Sequence, residues 1–270
     1  MNESIGVVVV AAGYGSFRDS GTLNVPKVIE PICGVPAICQ IVARVVRAGL
    51  DPVVVVNPLF EFQIRSELDR CGFQLPCIIQ PDRFGPGDAV QRALPYINSD
   101  SFVMIYGDMP LWEQETIAIL AEEHVRCETP LSMVTVSLGR PDTPPELERY
   151  GRVVRCPKTG IIECVVEPEE WKSSKPLPRK VNPSLMAFER DWFMSRVGRT
   201  PLFSKGDGRP DERRIPPLVA LAADEGFIVN EIPLMDPREA LGFNTPAELE
   251  KVRRVKKIRE GKTHESLAAV

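Results

Sequence analysis

The hydrophobic pattern changes period several times along the chain, and those changes predict its elements. Residues 7–10 form an unbroken valine run, the pattern of a strand buried on both faces. Ile38, Ile41, Val42, Val45 and Val46 then recur at helical spacing up to Gly49, where a glycine stops a helix. Short apolar runs at 53–56, 77–80 and 102–106 predict three more strands, with helices over 89–96 and 115–125 between and after them. This rhythm argues for an α/β fold, a parallel sheet with helices on both faces. In such sheets ligands sit beyond the carboxyl ends of the strands. The glycine-rich loop after Val10 and the Tyr106-Gly107-Asp108 stretch both fall at that edge.

The second half is less regular. Residues 131–136, 152–155, 161–166, 185–188 and 227–232 read as strands, whereas 172–180 and 197–214 are rich in proline, glycine and charge and read as loops or lids. A last helix over 246–260 carries Leu249, Val252, Val255 and Ile258 on one stripe, and its basic residues read as a solvated face. We therefore expect one body over 1–247, followed by a C-terminal helix and tail over 248–270.

Composition narrows the chemistry. A net charge of -4 over 270 residues gives no global basic field, so neither nucleic acid nor an anionic membrane is an expected partner. The start, MNESIG, lacks a signal peptide's basic end and apolar stretch. Seven scattered cysteines without a C-x-x-C pair read as reduced thiols of a cytoplasmic protein. With only His124 and His264 present, zinc chemistry and a histidine triad are poor fits, and any metal should prefer oxygen ligands.

The loop at Val7 to Lys27, VVVVAAGYGSFRDSGTLNVPK, is the first candidate for chemistry. Gly13-Tyr14-Gly15 begins like a dinucleotide fingerprint, but Arg18 stands where the third glycine is needed. The Gly-Lys-Ser/Thr of a P-loop is missing as well. Two glycines after a strand are often only a tight turn.

Pro26-Lys27 supplies the context. Ala11-Ala12-Gly13-x-Gly15, then Arg18, then Pro26-Lys27 before an apolar segment resembles the signature of the sugar-1-phosphate nucleotidyltransferases, the nucleotide-sugar pyrophosphorylases. The resemblance continues in family order. Gln80 to Val90, with Gly85 inside it, looks like Q-x-x-x-x-G-T-x-x-A-V, and Tyr106-Gly107-Asp108-Met109-Pro110-Leu111 looks like Y-G-D-x-P-L. Tyr150-Gly151-Arg152-Val153, Val165-Val166-Glu167, Asn182, and Glu239 to Asn244 match Y-G-R-I/V, I-V-E, the N of N-T-G, and E-x-x-G-V-N. Among these enzymes the chain is most similar to the uridylyltransferase half of the bacterial bifunctional N-acetylglucosamine-1-phosphate enzyme, without the hexapeptide-repeat acetyltransferase half.

The resemblance implies a Rossmann-like three-layer αβα sandwich with a mixed, mostly parallel sheet, the GT-A-like nucleotide-diphospho-sugar transferase fold, with residues 1–247 as the catalytic domain. It implies transfer from an NTP, UTP above others, to a sugar 1-phosphate such as N-acetylglucosamine 1-phosphate, with Mg2+ as cofactor. Arg18, Lys27 and Asp108 would be catalytic. Ala11, Ala12, Gly13, Gly15, Gln80, Gly85, Tyr106 and Gly107 would hold the nucleotide. Gly151, Glu167 and Asn182 would hold the sugar, and Asp108 with Asn244 the metal.

Plainer readings stay open beside these. Asp108 could be a turn residue, Gln80 a cap on exposed backbone, Glu167 a surface carboxylate like Glu169 and Glu170, Asn182 a turn residue before Pro183, and Lys27 a solvated lysine. Three departures from the motifs also matter. Arg18 is shifted and the loop before Pro26 lengthened, Asn182-Pro183-Ser184 replaces N-T-G, and the acceptor-side segment E-Y-Y-L-T-D appears as Glu212-Arg213-Arg214-Ile215-Pro216-Pro217. A non-catalytic nucleotide-binding module, or a cytidylyltransferase acting on a polyol phosphate or pterin, are the other readings of the same pattern.

The chemistry suits this residue set. A phosphate monoester has its second pKa at about 6, so the attacking oxygen is already anionic and no general base is needed. The protein must align two polyanions and stabilise charge developing on the phosphates. Mg2+ takes only one or two hard protein oxygens, which Asp108 and Asn244 can provide.

Overall fold

The computed structural model describes residues 5–15, 25–204, 206 and 210–268, with side chains to residue 261 in the last helix. Its strands in the first half are β1 (Gly6–Ala11), β2 (Pro31–Ile32), β3 (Val35–Pro36), β4 (Asp51–Val56), β5 (Cys77–Ile79) and β6 (Ser101–Tyr106). The second half adds β7 (Leu131–Ser137), β8 (Arg152–Arg155), β9 (Ile162–Val166), β10 (Lys180–Val181), β11 (Met186–Glu189), β12 (Leu202–Phe203), β13 (Glu212–Arg213) and β14 (Asn230–Pro233). The α-helices are α1 (Ala37–Arg47), α2 (Glu61–Arg70), α3 (Pro86–Ala93), α4 (Gln114–Arg126), α5 (Arg190–Val197), α6 (Pro217–Asp224) and α7 (Pro246–Ala268).

A 10-stranded sheet in the order β5-β4-β1-β6-β11-β7-β10-β8-β9, with β14 beside β7, forms the middle layer. From β5 to β6 every pairing is parallel, and β14 is parallel to β7. The β11, β10 and β9 strands run against the rest. The mixed, mostly parallel sheet of the α/β expectation is present.

The valine run explains itself in this frame. Val7 and Val9 of β1 enter a core shared with α1, α2, α4 and α7, while Val8 enters a second core with α3, α5 and α6. A strand covered on both faces has no polar side to alternate with. The second core is anchored by Phe102, Phe188 and Phe193, whose ring centroids lie 5.1–5.5 Å apart. Such stacked and edge-on contacts add to simple burial.

Several elements differ from the expectation. The α2 helix was not legible because it buries only Ile64 and Leu68 of its ten residues. Residues 197–214, expected as a loop, contain the small antiparallel pair β12–β13. The strand expected over 227–232 starts only at Asn230, and Phe227 and Ile228 are exposed. The basic face of α7 is partly used inside the molecule. Arg253 donates to Pro31 C=O at 2.9 Å, and Arg259 to Leu111 C=O at 2.8 Å and the Asp236 carboxylate at 2.9 Å, while Leu249 and Val252 of the same helix enter the first core. All seven cysteines are free thiols. Among the described residues no helix is long and apolar enough to cross a membrane.

Candidate active site

The carboxyl ends of β1, β5 and β6 open into a cavity of about 510 Å3. Its wall includes Ala11, Ala12, Gly13, Tyr14 and Gly15 of the glycine loop, Gln80, Arg83 and Gly85 of the loop after β5, Lys27, Tyr106, Asp108 and Glu212. The glycine loop is closed where expected: Lys27 N–H donates to Gly15 C=O at 3.0 Å. A Cβ on Gly15 would sit 3.2 Å from the Lys27 side chain, so the bare backbone there lets lysine pass close by. Arg18 lies outside the described residues.

Lys27 links the ends of the chain. Its ammonium donates to the Asp108 carboxylate and, at 2.6 Å, to Asn244 Oδ1, a residue 217 positions away. Asp108 and Asn244 are brought together by backbone. Phe243 N–H donates to Asp108 C=O at 3.2 Å, and a Cβ on Gly242 would meet Met109 Cγ at 2.9 Å. The buried Glu239 carboxylate accepts Glu113 N–H at 3.0 Å, and Tyr150 OH donates to Ala240 C=O at 2.8 Å. Burial pushes the Glu239 carboxyl up from its ordinary range. Asn244 N–H is itself held by Glu248 at 2.6 Å. Glycine at 242 is thus required by the closeness of the two loops, which the motif alone does not explain.

On the other wall, Gln80 is 4% exposed and donates through Nε2 to Gly85 C=O at 2.9 Å and to Asp88 Oδ2 at 2.8 Å. A carbonyl and a carboxylate only accept, so they fix which end of the amide is nitrogen. These bonds leave Oε1 as the acceptor end of the Gln80 amide, and Gln80 lines the cavity. Gly85 adopts φ +86°, and a Cβ there would lie 2.8 Å from the backbone of Arg213 in β13. Glycine is therefore demanded twice over, by the left-handed conformation and by the strand pressed against it. The same strand brings Glu212 to this cavity, although its segment was expected to shape the sugar pocket.

Gly151, Glu167 and Asn182 form a separate group at the ends of β8, β9 and β10. Asn182 N–H donates to Gly151 C=O at 2.9 Å, and a Cβ on Gly151 would come within 3.5 Å of the Glu167 carboxylate. Burial raises the Glu167 carboxyl above its ordinary range, against the pull of the nearby Arg214 cation. The buried Asn182 side chain accepts Ser184 N–H at 2.8 Å, which stabilises the turn where Ser184 has φ +63°. Tyr106 lies between the two groups. Burial first, and then the charges of Asp108, Glu167 and Glu212, push its phenol well up.

Some positions were placed differently from the motif reading. Gly107 does not line the cavity; its N–H donates to Val10 C=O at 3.0 Å, and a Cβ would meet Ile38 at 3.0 Å and Ala11 at 3.3 Å. Its role is close packing at the sheet edge. Sequence reading missed Asn57, Tyr14, Arg83 and Glu212. Asn57 is fully buried behind the glycine loop, and the Arg83 guanidinium stacks 4.5 Å over the Tyr14 ring at the cavity mouth. An asparagine after an apolar run reads as a turn signal, so nothing local marked the first.

The family model of the MobA-like NTP transferase domain matches residues 7–166, more than half of the chain. The chain belongs to that family. It is 27% identical over 259 residues to the bifunctional protein GlmU of Pseudomonas entomophila, covering 96% of this chain and 53% of that protein. A second GlmU, from Marinobacter nauticus, is 26% identical over 92% of this chain and 51% of its own. The chain thus spans about half the length of the curated relatives it matches. Among solved structures, an inositol-1-phosphate CTP transferase from T. maritima superposes with a TM-score of 0.68 at 17% identity, covering 96% of this chain and 98% of the other. A CMP:2-keto-3-deoxy-manno-octonic acid synthetase complexed with CTP gives 0.66 at 18% identity over 95% and 99%. The GT-A-like fold and the nucleotidyltransferase class expected from the motifs are those of this MobA-like family and of these structures.

Proposed function

We propose that the protein transfers the nucleotidyl group of an NTP, UTP in preference, to a sugar 1-phosphate and releases pyrophosphate. The observation that carries this reading is the meeting of Lys27, Asp108 and Asn244 beside a cavity that Lys27 and Asp108 line together with the glycine-rich loop. Sequence motifs from the two ends of the chain converge there, as a reaction between two polyanions requires.

The base preference rests on Gln80. With its nitrogen committed to Gly85 and Asp88, its oxygen matches the N3–H of uracil or thymine. The same position in cytosine is an acceptor and would face Oε1 with no proton between them.

The donor set also fits magnesium. A carboxylate from Asp108 and an amide oxygen from Asn244 are hard oxygens, and both already converge on one cation, the Lys27 ammonium. Among the described residues no three His, Cys, Asp or Glu side chains cluster as a metal cage, which suits an ion that keeps waters and phosphate oxygens as its remaining ligands. When bound, Mg2+ would offset the negative charge that develops on the phosphates. Lys27 would then turn to the triphosphate. Ala11 to Gly15 would present backbone to the phosphates, and Gly151, Glu167 and Asn182 would orient the acceptor so that its phosphate oxygen faces the α-phosphorus.

Pyrophosphate release from UTP, CTP, dTTP and GTP, each with a panel of sugar 1-phosphates beginning with N-acetylglucosamine 1-phosphate, tests the proposal. UTP should lead and CTP should trail. Silence across the panel would overturn the activity, and a CTP preference would overturn the role given to Gln80.

A further inference from the structure

We infer that Asn57 is the positioning residue that aims the glycine loop at the triphosphate. The inference rests on reading the cavity as a triphosphate site, and it concerns a residue that none of the motifs contains.

Asn57 follows the last residue of β4, the strand paired with β1, and is fully buried. Its amide nitrogen donates to Ala12 C=O at 3.3 Å and Gly13 C=O at 3.0 Å, and its Oδ1 accepts Phe60 N–H at 3.0 Å. Both ends of the amide are therefore used, and its orientation is fixed by the chemistry of its partners.

The consequence follows from peptide geometry. In a trans peptide the C=O and the following N–H point in opposite directions. Drawing the carbonyls of Ala12 and Gly13 back onto Asn57 turns the N–H groups of Gly13 and Tyr14 the other way. Ala12, Gly13 and Tyr14 line the cavity and Asn57 does not, so the loop lies between them and those N–H groups face the cavity. No hydrogen bond among the described residues uses either N–H. Two adjacent unspent donors in a concave wall form an anion-binding nest. Without the Asn57 donors, either peptide could rotate and present a carbonyl oxygen to a phosphate.

Asn57 also secures the turn into α2 through Phe60, so the test must separate the two bonds. Asn57→Asp keeps the Phe60 acceptor but replaces the donors to the loop with an oxygen; Asn57→Ser retains one small donor and serves if the aspartate variant does not fold. Calorimetry on the whole protein with UTP, inorganic tripolyphosphate and uridine reads the outcome. Asn57→Asp should weaken UTP and tripolyphosphate in parallel by more than about tenfold, while uridine affinity stays within about threefold. Asn57→Ser should fall between the variant and the native protein. In turnover, the KM for nucleotide should rise and that for the acceptor should not.

Native-like UTP affinity in both variants would overturn the inference, as would equal weakening of UTP and uridine, the mark of general damage. Binding of UTP and tripolyphosphate by the native protein without pyrophosphate release would instead count against the proposed activity and leave the role of Asn57 standing. If the native protein binds neither, both fail.

Discussion

The nucleotide side and the acceptor side of the site are built in different ways. On the nucleotide side the cavity is walled by the carboxyl ends of β1, β5 and β6 and the loops after them, whose backbone is tied across neighbouring segments. Gly107 N–H bonds to Val10, Gln80 N–H to Val56 at 2.8 Å, and Lys27 N–H to Gly15. On the acceptor side, Glu167 and Asn182 come from short antiparallel strands joined by residues 167–179, in which the only regular element is a single turn at Pro168–Glu170. Parallel register fixes the first set wherever the sheet forms, whereas loop sequence governs the second. On the proposed function, polyphosphate binding is therefore the rigid property of this architecture, and acceptor choice the adjustable one.

Substitutions can break that contrast in order of effect. Asp108→Ala should reduce turnover by about a thousandfold or more with circular dichroism unchanged, because it removes a proposed ligand of the charge-bearing cation. Near-native turnover in this variant would remove the metal assignment altogether. Chelation with EDTA should silence the native protein in the same assay, with activity restored by Mg2+.

Lys27→Met should cost roughly a hundredfold in turnover by removing one charge-assisted contact to phosphate. It should also raise the Mn2+ affinity of the nucleotide-free protein, read by electron paramagnetic resonance, because the ammonium no longer occupies the space between Asp108 and Asn244. Unchanged Mn2+ affinity would show that the two oxygens are not the cation site.

Glu167→Gln should act on the other side alone, raising the acceptor KM about tenfold and leaving the nucleotide KM in place. A carboxyl whose folded pKa is raised holds its proton more tightly in the folded protein, so its contribution to stability falls as pH rises through that range. Glu167→Gln should therefore not lower the melting temperature at neutral pH. A lower melting temperature, or an equal rise in both KM values, would mean that Glu167 supports the whole site rather than the acceptor.

The smallest effect on turnover is expected from His124→Gln, which controls for acid damage. Burial lowers the His124 pKa to about 4, below its unfolded value of about 6.5. The unfolded chain thus takes up a proton that the folded chain refuses. Full stability is present above about 6.5 and is lost, by about 3 kcal/mol, as pH falls towards 4. Denaturant melts at both pH values should show this loss shrinking in the variant, with neutral-pH kinetics unchanged.

The parallel half of the fold was legible because a twice-covered strand such as 7–10 leaves an apolar run with no alternation. Helix α2 was not, since its polar residues outnumber the two that it buries. Of the site, the motifs picked out Lys27, Asp108 and Asn244 as separate signals, but their contact depends on tertiary closure across 217 residues. Asn57 shows the limit more sharply. Its partners are the carbonyls of Ala12 and Gly13, and main-chain acceptors leave no trace in residue type. Gly107 shows the converse, a motif position explained by packing against Ile38 and Ala11.

The strand β13 has a bearing on how this sequence can diverge. Its backbone lies against Gly85 and Gly87, Arg213 N–H bonds to Phe84 C=O at 2.7 Å, and the next residue, Arg214, reaches Glu170 at 3.4 Å. A side chain gained at position 85 or 87 must push this strand outward, so those positions are closed to drift while β13 keeps its place. The path of the segment from Glu212 onward is thus dictated by two glycines packed directly against it. Sequence change here therefore has its freedom in the residues that flank this strand, and not in where the strand runs.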